Sequence, residues 1–163
     1  MLDEIICTED VAFVILGTGD REYEDFFRFM EGKYKGRVCS YIAYDNAVAH
    51  LIYAGSDLFL MPSKFEPCGI SQMIALRYGT LPIVRETGGL RDTVQSYNEF
   101  EDTGNGFSFA NYNAHEMLNT IRYALRTLHS PKRKHGLIVR AMESDNSFAN
   151  SAKKYMEMYQ SIL

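Results

Sequence analysis

The stretch Asp57-Leu58-Phe59-Leu60-Met61-Pro62-Ser63-Lys64-Phe65-Glu66-Pro67-Cys68-Gly69-Ile70-Ser71-Gln72-Met73-Ile74-Ala75-Leu76-Arg77-Tyr78 decides the fold, and Gly79-Thr80-Leu81-Pro82-Ile83-Val84 completes it. An apolar run of strand length, Asp57 to Met61, passes into a polar loop. An amphipathic segment opens near Gly69 and reaches Tyr78, and a second apolar run covers Leu81 to Val84. The order strand, helix, strand, with strands apolar on both faces, predicts parallel pairing beneath helices.

The same alternation extends upstream. Val11-Ala12-Phe13-Val14-Ile15-Leu16 reads as a strand, Tyr23 to Met30 as a helix, Arg37 to Ile42 as a strand, and Asn46 to Ala54 as a helix. Downstream, Glu101-Asp102-Thr103-Gly104-Asn105-Gly106 is a turn-rich loop before a short strand at Phe107-Ser108-Phe109. The remainder reads mostly as helix. Asn113 caps one running to Leu128, Pro131 opens the next, and Asn150 or Ser151 caps the last, with Tyr155, Met158, Tyr159 and Ile162 on one stripe. The pattern predicts an α/β fold, a Rossmann-like parallel sheet with helices on both faces. The length of 163 residues suits a single domain over 1–163, with the last helices, about 131–163, packing at its edge.

Bulk properties exclude several classes of function. Seventeen basic against twenty-one acidic residues give a net charge of -4, the wrong sign for neutralising a nucleic-acid backbone. The basic group Lys132-Arg133-Lys134-His135 reads as a solvated helix face. Cys7, Cys39 and Cys68 are widely spaced, which predicts reduced thiols, a cytoplasmic protein and no structural zinc. No run approaches the roughly 20 apolar residues of a membrane helix, and no export segment is expected. Phosphate-loop, nucleophile-elbow and paired-histidine metal motifs are absent from the sequence.

Ligands of open parallel sheets bind at the carboxyl ends of strands, so the loops there carry the candidates. Leu16-Gly17-Thr18-Gly19-Asp20 begins like a dinucleotide fingerprint, but Glu22 stands where the third glycine belongs, which argues against a nicotinamide cofactor. It reads equally as a tight turn or a ligand-facing loop. In Ala43-Tyr44-Asp45-Asn46, Tyr44 either stacks on a base or closes the edge of the core. His50, in the helix that follows, reads as a packed or surface residue.

The loop from Pro62 to Gly69 is richer. Gly69 lets backbone approach a ligand, and the N–H groups from Gly69 to Gln72 open a helix whose positive end favours phosphate. Ser71 adds a hydroxyl and Gln72 an amide. Glu66 is placed to accept hydrogen bonds from sugar hydroxyls or to offset positive charge at an anomeric carbon; its alternative is a capping acid. Cys68, without a histidine nearby in sequence, reads as a contact residue rather than a nucleophile.

With these residues in view, the sequence resembles the bacterial glycogen synthase and starch synthase family, retaining glucosyltransferases of the two-domain GT-B architecture. The resemblance rests on Leu16 to Asp20, Tyr44 to Asp57, and the long block Pro62 to Thr93 with Thr87-Gly88-Gly89-Leu90-Arg91-Asp92-Thr93. It extends to Gly104 through Phe109 and to Ser151 through Tyr155. It implies a C-terminal, donor-binding domain whose substrate is ADP-glucose, with no cofactor and no metal. Glu66 is the catalytic residue it implies. Tyr44 then lies against adenine, while Cys68, Gly69, Ile70 and Ser71 line glucose and diphosphate, with Gln72 beside them.

The chain departs from the wider GT-B pattern at Ile74, where a second glutamate is common, and at Phe148-Ala149, where a tryptophan is common. The family's N-terminal domain, which carries the α-1,4-glucan acceptor surface, and an upstream Arg and Lys pair have no counterpart here. The expectations are therefore an inactive isolated domain and self-association through its uncovered surface. UDP-glucose as donor, or a non-catalytic nucleotide-sugar or glucan-binding module, remain the alternatives.

Overall fold

The computed structural model describes residues 1–162. The chain divides into two compact units, Met1–Gly55 and the remainder from Ser56 onward, where the sequence had suggested a single domain over 1–163.

The first unit runs α1 (Leu2–Thr8), β1 (Phe13–Leu16), α2 (Arg21–Lys33), β2 (Val38–Tyr41) and α3 (Asn46–Gly55). Strands β1 and β2 pair in parallel, Phe13 opposite Val38 and Leu16 opposite Tyr41. Ile6, Met30 and Val38 form the buried centre, with Leu2, Phe13, Ile15 and Tyr34 against them. Arg37 fastens the turn before β1: its guanidinium donates to the carbonyls of Ile6 (2.8 Å), Glu9 (2.6 Å) and Val11 (2.8 and 3.0 Å). One arginine thereby gathers the carbonyls of Ile6, Glu9 and Val11, of which Glu9 O also accepts from Val11 N–H (3.1 Å). Asp3 ties α1 to α2, accepting from Lys33 (2.6 Å) and from the Tyr34 hydroxyl (2.7 Å). Those bonds, Lys33 first, hold its carboxyl below the usual carboxylate range.

In this unit Val14 is 51% and Tyr41 45% exposed. A two-stranded sheet covered on one side has a second face open. Helix α3 is apolar in composition yet buries no residue.

The second unit runs β3 (Leu58–Met61), α4 (Ser71–Tyr78), β4 (Leu81–Arg85), α5 (Gly89–Thr93), β5 (Phe107–Phe109), α6 (Ala114–Leu128), α7 (Pro131–Glu143) and α8 (Phe148–Ser161). The sheet order is β3-β4-β5, all parallel, with Leu58 opposite Leu81 and Ile83 opposite Phe107. Leu81 through Val84 are fully buried, as an apolar central strand requires. Pro82 is unusual in a central strand because it lacks an N–H. Pairing with β5 starts only at Ile83, and Gly106 packs tightly on Pro82 where that partner strand has not begun. Helix α4 ends at Gly79, whose left-handed φ of 77° lets the Gly79 and Thr80 N–H groups close on Leu76 and Ala75.

Helices α1 and α5 escaped the sequence reading, and α8 begins earlier than expected. Its cap is Ser147, which accepts from Asn150 N–H, rather than Asn150 or Ser151. Of the final helices, α7 packs on the unit through Leu137 and Ala141, whereas α8 buries nothing among the described residues, Tyr155, Met158, Tyr159 and Ile162 included.

Asn113 caps α6 as the sequence indicates, accepting from His115 N–H (2.8 Å) and Glu116 N–H (3.2 Å). Asn113→Ala is expected to cost about 1 kcal/mol. In a chain of this size that lowers Tm by roughly 2–4 °C, read by thermal denaturation; an unchanged Tm would show the cap to be idle.

Candidate functional site

The loops after β3, β4 and β5 gather at the carboxyl ends of a parallel sheet, and the longest, residues 62–70, is fixed by its carbonyl oxygens. Arg85, the last residue of β4, donates from Nε to Ser63 O (3.0 Å) and from Nη2 to Lys64 O (2.6 Å). Gly89 N–H, opening α5, donates to Pro67 O (3.1 Å). Gln72 Nε2 donates to Cys68 O (3.2 Å) and Gly69 O (2.9 Å), and also to Thr93 Oγ1 (3.1 Å), which itself donates to Gly89 O (2.7 Å). The loop thus has its Ser63, Lys64, Pro67, Cys68 and Gly69 carbonyls met by the protein.

Its donors are not. No side chain caps α4, and among the described residues the N–H groups of Gly69 to Met73 have no partner. Gly69, at φ 75°, takes a left-handed turn that swings the chain into the helix. The first turn of α4 is consequently a patch of unmet N–H groups carrying partial positive charge, a setting that attracts an anion.

The glycine pair after β4 sets how deep this loop lies. A Cβ on Gly88 would run into Glu66 O, and one on Gly89 into Cys68 O. Only hydrogen atoms fit there, so α5 supports residues 66–68 directly from below.

The structure places the sequence-predicted residues in two groups. Glu66, Cys68, Gly69, Ile70, Ser71 and Gln72 lie together on this loop and helix end. Glu66 and Ser71 are half-buried, Cys68 is exposed with its thiol 3.6 Å from Gly69 O, and Ile70 is 66% exposed. Gln72 lies beneath the loop rather than on its open side, fully buried with its amide engaged in bracing. Tyr44 belongs to the first unit, just beyond β2, and its ring is 91% exposed, so it closes no core edge. The glycine turn Gly17 to Gly19 is partly filled by the chain itself: Gly19 N–H donates to the Glu24 carboxylate (3.1 Å). His50 stands edge-on to Tyr53 along α3.

Sequence reasoning missed Arg85, Thr93 and the supporting role of Gly88 and Gly89. A glycine pair after a strand is a usable signal for close approach; a charged residue ending a strand is not. A cavity of about 290 Å³ lined by Thr93, Gln95, Gly104, Asn105, Arg140 and Ser144 lies elsewhere in this unit. Its polar groups are already paired, Arg140 with Gly104 O and Asn105 with Thr93 O, Ser144 and Gln95 N–H, which marks it as a packing seam. Among the described residues no cluster of His, Cys, Asp and Glu could hold a metal, and no helix is long and apolar enough to cross a membrane.

The loop after β3 thus carries a half-buried carboxylate, Glu66, a few residues before a helix start whose N–H groups have no partner among the described residues, in an α/β protein of parallel strands. The chain belongs to the group 1 glycosyltransferases, whose family model matches residues 4–154. It is 56% identical over 158 residues to a glycogen synthase of Lachnospira eligens, covering 96% of this chain and 33% of that protein. The catalytic domain of starch synthase IV from Arabidopsis thaliana, solved with ADP and acarbose bound, is 35% identical with a TM-score of 0.80. That likeness covers 92% of this chain and 32% of the other. Anabaena Alr3699/HepE, solved with UDP-glucose, shares the fold at a TM-score of 0.68 and 17% identity, over 98% of this chain and 44% of that one. The chain spans about a third of the length of the synthases it matches.

Gln72→Ala is expected to strip the donors from Cys68 O and Gly69 O and to cost about 2–4 kcal/mol. Hydrogen exchange should accelerate at Gly69 to Met73 and stay unchanged in β1 and β2. Uniform acceleration, or none, would remove Gln72 as the brace of this loop.

Proposed function

We propose that this chain is the donor-binding part of a glycogen or starch synthase, working in the cytoplasm, that transfers glucose from ADP-glucose to the non-reducing end of an α-1,4-glucan with retention. The observation that carries the reading is the loop's polarity: its carbonyls are tied inward and the N–H groups at the start of α4 are left to an incoming anion.

Glu66 narrows the class of anion. A carboxylate beside the helix end repels a bare polyanion, while unmet N–H groups attract one. A ligand that sets a neutral, hydroxyl-rich group next to a diphosphate meets both demands. On this reading glucose lies toward Glu66 and the diphosphate lies over Gly69, Ile70 and Ser71, with Cys68 in contact. Gln72 contributes by holding the loop. Tyr44, in the first unit, carries an exposed ring of the kind that stacks on a base such as adenine.

The chemistry follows from that placement. As the bond from the anomeric carbon to the diphosphate oxygen breaks, negative charge builds on the leaving group, where the α4 N–H groups stabilise it. Positive charge builds on the sugar ring, where Glu66 opposes it. The glucan hydroxyl forms the new bond to the anomeric carbon on the face the diphosphate leaves and gives its proton to the departing diphosphate oxygen, so the anomeric configuration is kept. The reading calls on no metal and no cofactor, because ADP-glucose is a substrate. The glucan is held by the rest of the enzyme, and the 163-residue chain by itself elongates none.

The test is a chimera in which this chain replaces the corresponding third of the Lachnospira eligens synthase. It should incorporate labelled glucose from ADP-glucose into glycogen, and Glu66→Gln should reduce kcat by roughly 10²–10³-fold. Calorimetric titration should show ADP binding more tightly than UDP. A folded chimera that incorporates no label, or one unaffected by Glu66→Gln, would overturn the reading; tighter UDP binding would replace the donor.

A further inference from the structure

We infer that Arg85 is the positioning residue for Glu66, fixing the carboxylate through the backbone ahead of it rather than by touching the ligand. The inference rests on the donor-site reading above and deepens it.

Arg85 closes β4, opposite Phe109 of β5, so its Cα is set by the most deeply buried strand of the unit. From there the guanidinium reaches across to the neighbouring loop and grips two successive carbonyls, Ser63 O at 3.0 Å and Lys64 O at 2.6 Å. These stand three and two residues before Glu66. One residue after it, Pro67 O is held by Gly89 N–H at 3.1 Å, and Glu66 O itself rests on Gly88. Glu66 is thus the free link between two anchored points, both belonging to the elements that flank the end of β4.

The fork geometry matters because a planar guanidinium with Nε and Nη2 donors fixes direction as well as distance. The ring of Tyr112, in the loop after β5, lies 5.8 Å from the guanidinium carbon and covers it. A cation over an aromatic face is attracted to it, which helps to hold the fork in place over the two carbonyls. The resulting chain of contact runs from Tyr112 to Arg85 to the loop to Glu66. Catalytic groups lose rate steeply with misplacement of about 1 Å, so a residue that only positions the carboxylate acts on kcat.

The test uses the same chimera. Arg85→Lys, which keeps the charge but loses the fork, should lower kcat about tenfold and leave KM for ADP-glucose within about threefold, and Arg85→Ala should lower kcat further. Adding Arg85→Ala to Glu66→Gln should cost nothing beyond Glu66→Gln alone, because one residue acts through the other. In the 163-residue chain, Arg85→Ala should speed hydrogen exchange at residues 64–69 while leaving Tm within a few degrees.

Full activity of Arg85→Lys and Arg85→Ala, or losses that multiply with that of Glu66→Gln, would overturn the inference and leave the donor-site reading standing. A rise in KM for ADP-glucose at unchanged kcat would instead make Arg85 a direct ligand contact, which also overturns it. If Glu66→Gln is itself silent, the donor-site reading fails first and takes this inference with it.

Discussion

Irregular backbone at the end of a strand leaves carbonyl oxygens with no ladder partner, and the arrangement of this protein depends on how those oxygens are met. Each buried one left unmet would cost about 1–3 kcal/mol. The solution recurs: a long side chain rooted in a regular element reaches into the neighbouring loop. Arg37 holds the turn between α1 and β1, Arg140 holds Gly104 O, and Arg85 with Gln72 holds the loop from Ser63 to Gly69. Guanidinium suits this work because it carries several donors in a rigid plane and no acceptor that would need its own partner.

Meeting the carbonyls from inside has a directional consequence. Five carbonyls of the loop, those of Ser63, Lys64, Pro67, Cys68 and Gly69, are taken by protein donors, while the N–H groups that follow are not taken by protein acceptors. After Gly69 reverses the chain, those groups join the first turn of α4 and act together. The effect of a helix end fades within its first turn, so an eight-residue helix serves as well as a long one. Two glycines at 88 and 89 then determine how far the loop sinks, because no side chain could separate the two backbones. Electrostatic character and depth thus have separate origins, one in side-chain donors and the other in the absence of side chains.

What could be read in the sequence follows from this division. Strands β3 and β4 and helices α4 and α6 announce themselves because burial imposes periodicity on apolar residues, and Asn113 because a cap demands a short acceptor. The loop at residues 62–70 was legible as a candidate from its glycine and its place between strand and helix. Helix α5 was not, being five residues long and opening on Gly89. The arginines were illegible for a different reason. In a string of letters a charged residue reads as solvated, and its true partners are backbone atoms twenty or more positions away. Gln72 was read as a ligand-facing amide because helix position alone does not tell which side of the loop the side chain passes.

Gln72 also carries the one polar side-chain atom among the described residues that is buried without a partner, its Oε1. The neighbouring Gly69 leaves no room for a Cβ, which would stand 2.5 Å from that oxygen. The amide cannot turn over to relieve the oxygen, because Nε2 would then lose its bonds to Cys68 O and Gly69 O and leave those carbonyls unmet instead. Two local rules are therefore broken within one short stretch, by an orphaned buried oxygen and by a helix start without a capping side chain. At Asn113 and Gly79, by contrast, the cap and the glycine turn meet the helix ends they serve. Stability alone would remove such conflicts, since a capping residue or an apolar side chain at 72 is available to any sequence. On the donor-site reading the ligand meets the helix N–H groups, which leaves the buried Gln72 oxygen as the cost of bracing the loop from beneath.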